Sequence, residues 1–241
     1  LWMLAFALQN SKSDLEKAIE NTRSQKSYHA KFKAVIEAPG SDSLVVEGET
    51  VWVKPGVLYI KYAGTGGDRK NIVRVGDKVW VYHEILGDWV TGDEMGTPGA
   101  GRGAQCPDDV LTVLVKYANR AKVAGDGHEI KFSGEDIQKI MKEQASEGTF
   151  DYKNPKTVAS AQLFIKNNLL TRFISTAELI STEENLKGKV VKYTADVEIL
   201  SYGQQTSLAF TVPDEVSKKP TPVPIPPSIQ SEIDAFLPKK P

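Results

Sequence analysis

The side chains best suited to nucleophilic, acid–base or metal chemistry are three histidines and one cysteine, and their spacing assembles no reaction. His29, His83 and His128 each fall in a stretch with strand patterning. The nearest carboxylates, Glu84 and Glu129, are chain neighbours of two of them, and successive strand residues point to opposite faces. Cys106 precedes a helical segment, where a helix dipole favours the thiolate. A single thiol with scattered histidines makes neither a Cys/His zinc site nor an internal disulfide. Gly64-Thr65-Gly66-Gly67 and the run Gly96 to Gly103 look superficially like phosphate loops. Neither ends in Lys-Ser/Thr, and neither has the glycine spacing of a strand-to-helix nucleotide turn. There is no Gly-x-Ser-x-Gly elbow. The sequence is read as that of a protein without catalysis, cofactor or metal.

Thirty basic and thirty-one acidic residues cancel, and no block of one sign appears. A groove that tracks phosphates needs a basic surplus, so nucleic acid is not an expected partner. No apolar run approaches the roughly 20 residues of a membrane-spanning helix. Leu1 to Gln9 is short and apolar, and Ala5-Phe6-Ala7 offers a small-x-small cleavage site, so residues 1–9 are read as the remnant of a signal peptide. That predicts export to the periplasm or cell envelope. Cys106 lies far from this stretch, which therefore carries no acceptor for a lipid anchor.

The aromatics carry more information. Trp52, Trp80, Trp89, Tyr59, Tyr62, Tyr82, Phe32, Phe164, Phe173, Tyr193 and Phe210 sit almost entirely in segments of period two. In Tyr28–Ile36 the even positions are mostly apolar, whereas His29, Lys31 and Lys33 are polar, so one face is dry and one wet. Strands are expected over Leu44–Val53, Val57–Ala63, Asn71–Val75 and Lys78–Ile85, with a short one at Trp89. Short turns, among them Lys54-Pro55-Gly56 and Gly76-Asp77, join them into an antiparallel meander. After the glycine-rich loop Gly92–Gly103, Pro107 opens a helix whose stripe is Val110, Leu111, Leu114, Val115 and Ala118. His128–Phe132 reads as a strand, and Ser133-Gly134-Glu135-Asp136 as a capping box before a helix bearing Ile137, Ile140 and Met141. Thr157–Lys166 and Leu169–Glu178 flank a two-residue turn, Asn167-Asn168. Lys189–Leu200 places Val191, Tyr193, Ala195, Val197 and Ile199 on one face, and Thr206–Val212 is expected to close the sheet. A first helix is expected from Ser13 to about Gln25, on the spacing of Leu15, Ala18 and Ile19. The fold class is α+β: a strongly curved antiparallel sheet, an incomplete barrel, with an N-terminal helix and a helical lid or plug.

Residues 217–241 hold seven prolines. They are read as a Pro-rich tail, extended or frayed, following one ligand-binding domain over 13–216.

Several segments in order resemble the periplasmic lipoprotein-carrier superfamily (LolA/LolB-like), including the related lipid-carrying lipoproteins of the mycobacterial envelope. They are Ser27-Tyr28-His29-Ala30-Lys31-Phe32, Gly48 to Pro55, Val75 to Tyr82, and Phe210-Thr211-Val212-Pro213-Asp214-Glu215-Val216. Val123 to Met141 is closer to the lipid-carrying lipoproteins. The resemblance implies a half-barrel around an apolar cavity and, as partners, a lipid or acylated lipoprotein and envelope membrane proteins. Trp52, Leu58, Ile60, Tyr62, Trp80 and Tyr82 would line the concave face, with Phe32 deeper. Leu111, Leu114, Ile137, Ile140 and Met141 would form the lid. Carriers often place an arginine before the proline of the second strand to latch that lid; Lys54 stands there, keeping the charge without the bidentate fork. A second reading is an envelope sensor or scaffold that binds protein, its cavity filled. A third, an enzyme, would need a convergent polar cluster that the sequence does not show.

Overall fold

The computed structural model describes residues 14–67, 69–91, 94, 107–143, 149–213 and 219–238. The run Leu1–Gln9, Cys106 and nearly all of the loop 92–103 lie outside them. Helix α1 covers 14–24. It is followed by β1 (Ser27–Glu37), β2 (Leu44–Val53), β3 (Val57–Gly64), β4 (Arg69–Val75), β5 (Lys78–His83) and β6 (Asp88–Thr91). Next come α2 (Pro107–Tyr117), β7 (Lys122–Ala124), β8 (Gly127–Ser133) and α3 (Gly134–Glu143). The chain continues through β9 (Val158–Lys166), β10 (Leu169–Ile180), β11 (Val190–Tyr202), β12 (Phe210–Pro213), β13 (Pro220–Val223) and α4 (Pro227–Phe236).

Eleven strands form one sheet in the order β6-β5-β4-β3-β2-β1-β11-β10-β9-β8-β7. Its end strands β6 and β7 each have a single neighbour, so the sheet is open. With helices added, the class is the α+β one expected. The chain groups into two compact units: Leu1–Ser24, Phe32–Val46 and Val110–Ile199 in the first, and Gln25–Lys31, Glu47–Asp109 and Leu200–Pro241 in the second.

In the first unit, register defines a dry and a wet face. Ile130 pairs with Ala161, which pairs with Ser175, then Ala195. Phe132, Ala159, Ala177 and Tyr193 make a second row, and His128, Leu163, Phe173 and Val197 a third. The opposite face is polar: the Arg172 guanidinium donates twice to the Asp196 carboxylate, and Ser160 meets Thr176 at 3.0 Å. The Asn167-Asn168 turn that sets this register has φ of 54° and 57°. Asparagine tolerates this left-handed region better than most residues, which suits a two-residue hairpin.

Helix α1 buries Leu15, Ala18, Ile19 and Thr22. It is tied to the β9–β10 hairpin, because the Thr22 hydroxyl accepts the Leu170 N–H (3.0 Å) and Asn21 donates to the Asn168 carbonyl (3.2 Å). The expected capping box is present: Asp136 N–H donates to Ser133 Oγ (3.3 Å) and Ser133 N–H to Asp136 Oδ2 (3.0 Å). Arg120 also donates to that carboxylate at 2.7 Å, and together these contacts hold the Asp136 carboxyl below its ordinary range despite partial burial.

In the second unit two expectations are overturned. β12 does not close the large sheet; it pairs with β13 as a separate two-stranded sheet. The Pro-rich stretch is also not a frayed tail, for residues 220–236 form β13 and α4 and are packed. Pro220 and Pro222 alternate with Thr221 and Val223, so the missing donors fall on one edge of a strand with a single partner, where proline is tolerated. Pro227 occupies the first turn of α4, where its absent N–H costs nothing. Val223, Ile229 and Ile233 are buried with Val57, Tyr59, Val73, Trp89 and Phe210 in one cluster. Polar contacts fix the seat: Trp89 Nε1 donates to the Pro224 carbonyl (3.0 Å), and Lys78 donates to Glu232 (2.6 Å). Gly76 donates its N–H to the Gly56 carbonyl, and the Phe236 ring lies over both glycines, where any side chain would meet it.

Candidate functional site

The dry face of the first unit is covered unevenly. Its β8–β9 side is closed, with Ile130 and Leu163 fully buried beneath Leu15, Ile19, Leu111, Leu114 and Ile137. Toward β10 and β11 the same face stays half-exposed: Phe173, Ala177, Tyr193, Val197 and Ile199 are none of them fully buried. Apolar side chains that face inward yet remain partly wet mark an uncovered stretch of core, the usual setting for an apolar ligand.

Of the residues expected to line the site, Leu111, Leu114 and Ile137 come together in this core, with Ile140 and Met141 packed against it. Phe32, in the same unit, is half-buried. The others belong to the second unit and do not share one face. Ile60 pairs with Ile72, and Ile72 with Val81, whereas Tyr59 pairs with Val73, and Val73 with Trp80. Trp80 and Tyr82 therefore lie on the face opposite Leu58, Ile60 and Tyr62, and pack against the cluster that holds Ile229 and Ile233. Ile60 and Tyr62 pack instead against Ile72, Val79 and Val81. The common lining of Trp80 and Tyr82 with Leu58, Ile60 and Tyr62 is thus corrected. Both faces of β5 are apolar, so only the register set by Gly76-Asp77 decides which way Trp80 points. Trp52 is fully buried, 5.4 Å ring to ring from Tyr28, and the Lys54 ammonium sits 5.4 Å from its ring centroid. Leu58 is 2 % exposed, so both are core in their own unit.

At one end of the half-covered face lies a polar feature. Phe150 packs edge-on against Tyr152 (6.4 Å between centroids) and Tyr193 (6.1 Å). The Tyr152 hydroxyl is buried and has no hydrogen-bond partner among the described residues. Leaving such a donor unmet costs about 1–3 kcal/mol. Burial pushes the Tyr152 hydroxyl above its ordinary value of 10.0. Burial first, then the Glu183 carboxylate and Tyr152, raises Tyr193 likewise, so both phenols stay protonated. Glu183 is exposed and held by Thr149, whose hydroxyl donates to it at 2.8 Å. Composition and spacing did not single out Tyr152. The alternation of Val191 to Ile199 did place Tyr193 on the apolar face.

His29 meets a carboxylate, Glu49, at 3.4 Å, a pair in which each side chain is partly buried. Among the described residues no three His, Cys, Asp or Glu side chains gather as a metal site, and no helix is long and apolar enough to cross a membrane. His128, beside Leu163 on the dry face, is held below its ordinary value of 6.5 by burial, against an opposing pull from Asp14. The folded state therefore binds this proton less readily than the unfolded chain, and stability falls as pH drops below about 6.5. His128→Gln should shrink the loss of urea midpoint between about pH 7 and pH 5; an unchanged loss would show that other groups set it.

The arrangement defines a class: an α+β protein on one open antiparallel sheet, with an apolar face partly capped by helices. No protein-family model matches the chain, and no curated protein matches it significantly. Among solved structures it is similar to the lipoprotein LppX of Mycobacterium tuberculosis, with a TM-score of 0.44 and 11 % identity, over 83 % of this chain and 98 % of that one. It is also similar to a LolA superfamily protein from Nitrosomonas europaea (TM-score 0.33, 10 % identity, 82 % of this chain and 95 % of that one). A third similarity is to the MucA/MucB complex of Pseudomonas aeruginosa (TM-score 0.34, 10 % identity, 88 % of this chain and 74 % of that one).

Proposed function

We propose that this protein is a non-catalytic carrier in the cell envelope that shelters a lipid, or the acyl chain of a lipoprotein, on the half-covered face of β10 and β11. One observation carries this reading: the inward-facing apolar side chains Phe173, Ala177, Tyr193, Val197 and Ile199 of β10 and β11 stay partly exposed, whereas Ile130, Ala161 and Leu163 on the same face of β8 and β9 are buried. Such a face needs no catalytic group to act. Each methylene buried there contributes about 0.8 kcal/mol, so a chain of about 12 gains on the order of 10 kcal/mol before the costs of association. Export is supported by the signal-peptide character of Leu1–Gln9 in the sequence.

Native mass spectrometry after gentle purification should find bound lipid, and stripped protein should take up a pyrene-tagged acyl ester. Val197→Glu puts a charge on the face that a folded sheet can still hold half-exposed. It should weaken uptake at least about tenfold, as an unpaired carboxylate desolvated by the chain would, with unchanged far-UV circular dichroism. Lipid-free protein that takes up no ester, or equal uptake by the variant, would sink the proposal.

A further inference from the structure

We propose that the tip of the β5–β6 hairpin is a bilayer-contact site, which dips Ile85 and Leu86 into the surface of a zwitterionic lipid membrane. The inference stands on the second unit and goes beyond the carrier reading, which rests on the first. Ile85 is 91 % exposed and Leu86 65 %, the most exposed large hydrophobic side chains among the described residues. They are chain neighbours at the summit of a tight turn, and that turn is held in shape. Gly87 donates its N–H to the His83 carbonyl (2.9 Å), Leu86 donates to His83 Nδ1 (3.3 Å), and Gly87 takes a φ of 65°. Two aliphatic side chains so bared contribute little to the core and mark a contact with something apolar. The opposite end of the same antiparallel meander is finished differently, for its turns at Gly56 and Gly76 lie beneath the Phe236 ring.

Size and charge decide the partner. A stable protein interface buries about 800 Å² on each side around packed aromatic or arginine anchors, and a tip of two aliphatic side chains falls well short of that. A lipid surface needs no shaped pocket. Each aliphatic side chain moved from water into acyl chains raises partitioning roughly 10- to 100-fold. The ionised side chains beside the tip balance: Glu84 and Asp88 flank it, both exposed, while Arg69 and Lys70 open β4 at the same end of the meander. Such a rim complements both the phosphate and the amine of a zwitterionic headgroup, and it gains nothing from a surplus of anionic lipid.

Flotation of the full chain with phosphatidylcholine vesicles tests this. The unaltered protein should float with the vesicles, and adding about 20 % phosphatidylglycerol or about 0.5 M salt should change binding less than about 2-fold. Ile85→Asp combined with Leu86→Asp should weaken binding at least about 10-fold. Its urea midpoint should not change, because both positions are exposed. Ile85→Trp should add an emission that shifts to the blue on vesicles and is quenched by brominated acyl chains, which places the tip below the headgroups. The proposal is overturned if the unaltered chain stays unbound at about 5 mM lipid, or if the double variant floats as well as it does. Binding seen only with native membrane vesicles, and lost once they are treated with trypsin, would identify a protein partner and overturn it too. Vesicle binding that Val197→Glu abolishes and the double variant keeps would belong to the half-covered face; the tip proposal then fails while the carrier reading stands.

Discussion

Ile233→Ala should lower stability by about 2–5 kcal/mol, seen as a drop in the urea midpoint followed by tryptophan fluorescence. Ile233 is 1 % exposed and stands one turn from Ile229, which is 3 % exposed. Both are wedged against Val57, Tyr59, Val73 and Phe210, so truncation opens a cavity at the seam between α4 and the sheet. A separate readout comes from Tyr59, whose hydroxyl is pushed up to about 12, first by burial and second by Asp234 of α4. If α4 loosens, Tyr59 regains water and moves away from that carboxylate, so its ionisation, followed by tyrosinate absorbance, should shift back toward its ordinary value. A loss of stability below about 1 kcal/mol would mean that α4 contributes little to this core.

Gly134→Ala should destabilise by about 3 kcal/mol or more, against the usual sign for a helix. A glycine inside a helix ordinarily gains about 1 kcal/mol on becoming alanine. Here a Cβ at Gly134 would lie 2.0 Å from the carbonyl oxygen of Tyr152 and 3.4 Å from that of Thr157. Neither backbone can yield easily. Asp151 donates its N–H to Ile180 (2.8 Å), and the Thr157 hydroxyl donates to the Asp151 carbonyl (2.7 Å). On the other side Ser133 is held by the cap with Asp136. Whatever shift relieves the clash must move the Tyr152 backbone. A higher urea midpoint in the variant would refute the steric account.

Most strands were legible because their signal is local. Period two over Val191–Ile199, the paired asparagines at 167 and 168 and the Ser133–Asp136 cap each need only a few residues to declare themselves. β13 and α4 were not legible, because proline at every second position of 220–226 reads as an extended tail until a partner strand and an apolar face are known. The facing of Trp80 and Tyr82 was hidden for another reason. Val79 and Val81 are as apolar as their neighbours, and a one-residue choice of register inverts the strand. The candidate site was half legible. Its β11 residues were read as one apolar face, but the lining implied by the family resemblance included Trp52 and Leu58, which proved to be filled core. Tyr152 gave no pattern of its own, lying between strands in a segment rich in turns.

The seating of α4 has a consequence for the order in which the chain matures. The face formed by Val57, Tyr59 and Val73 is made early, yet Val223, Ile229 and Ile233, which cover it, are synthesised some 150 residues later. Until those residues emerge, a nascent chain presents a bare apolar sheet with unfilled aromatic contacts around Trp89. Contacts so distant in sequence form slowly, because the loop between them must be ordered first. The late proline-rich segment therefore completes this core only after the rest of its sheet has been made.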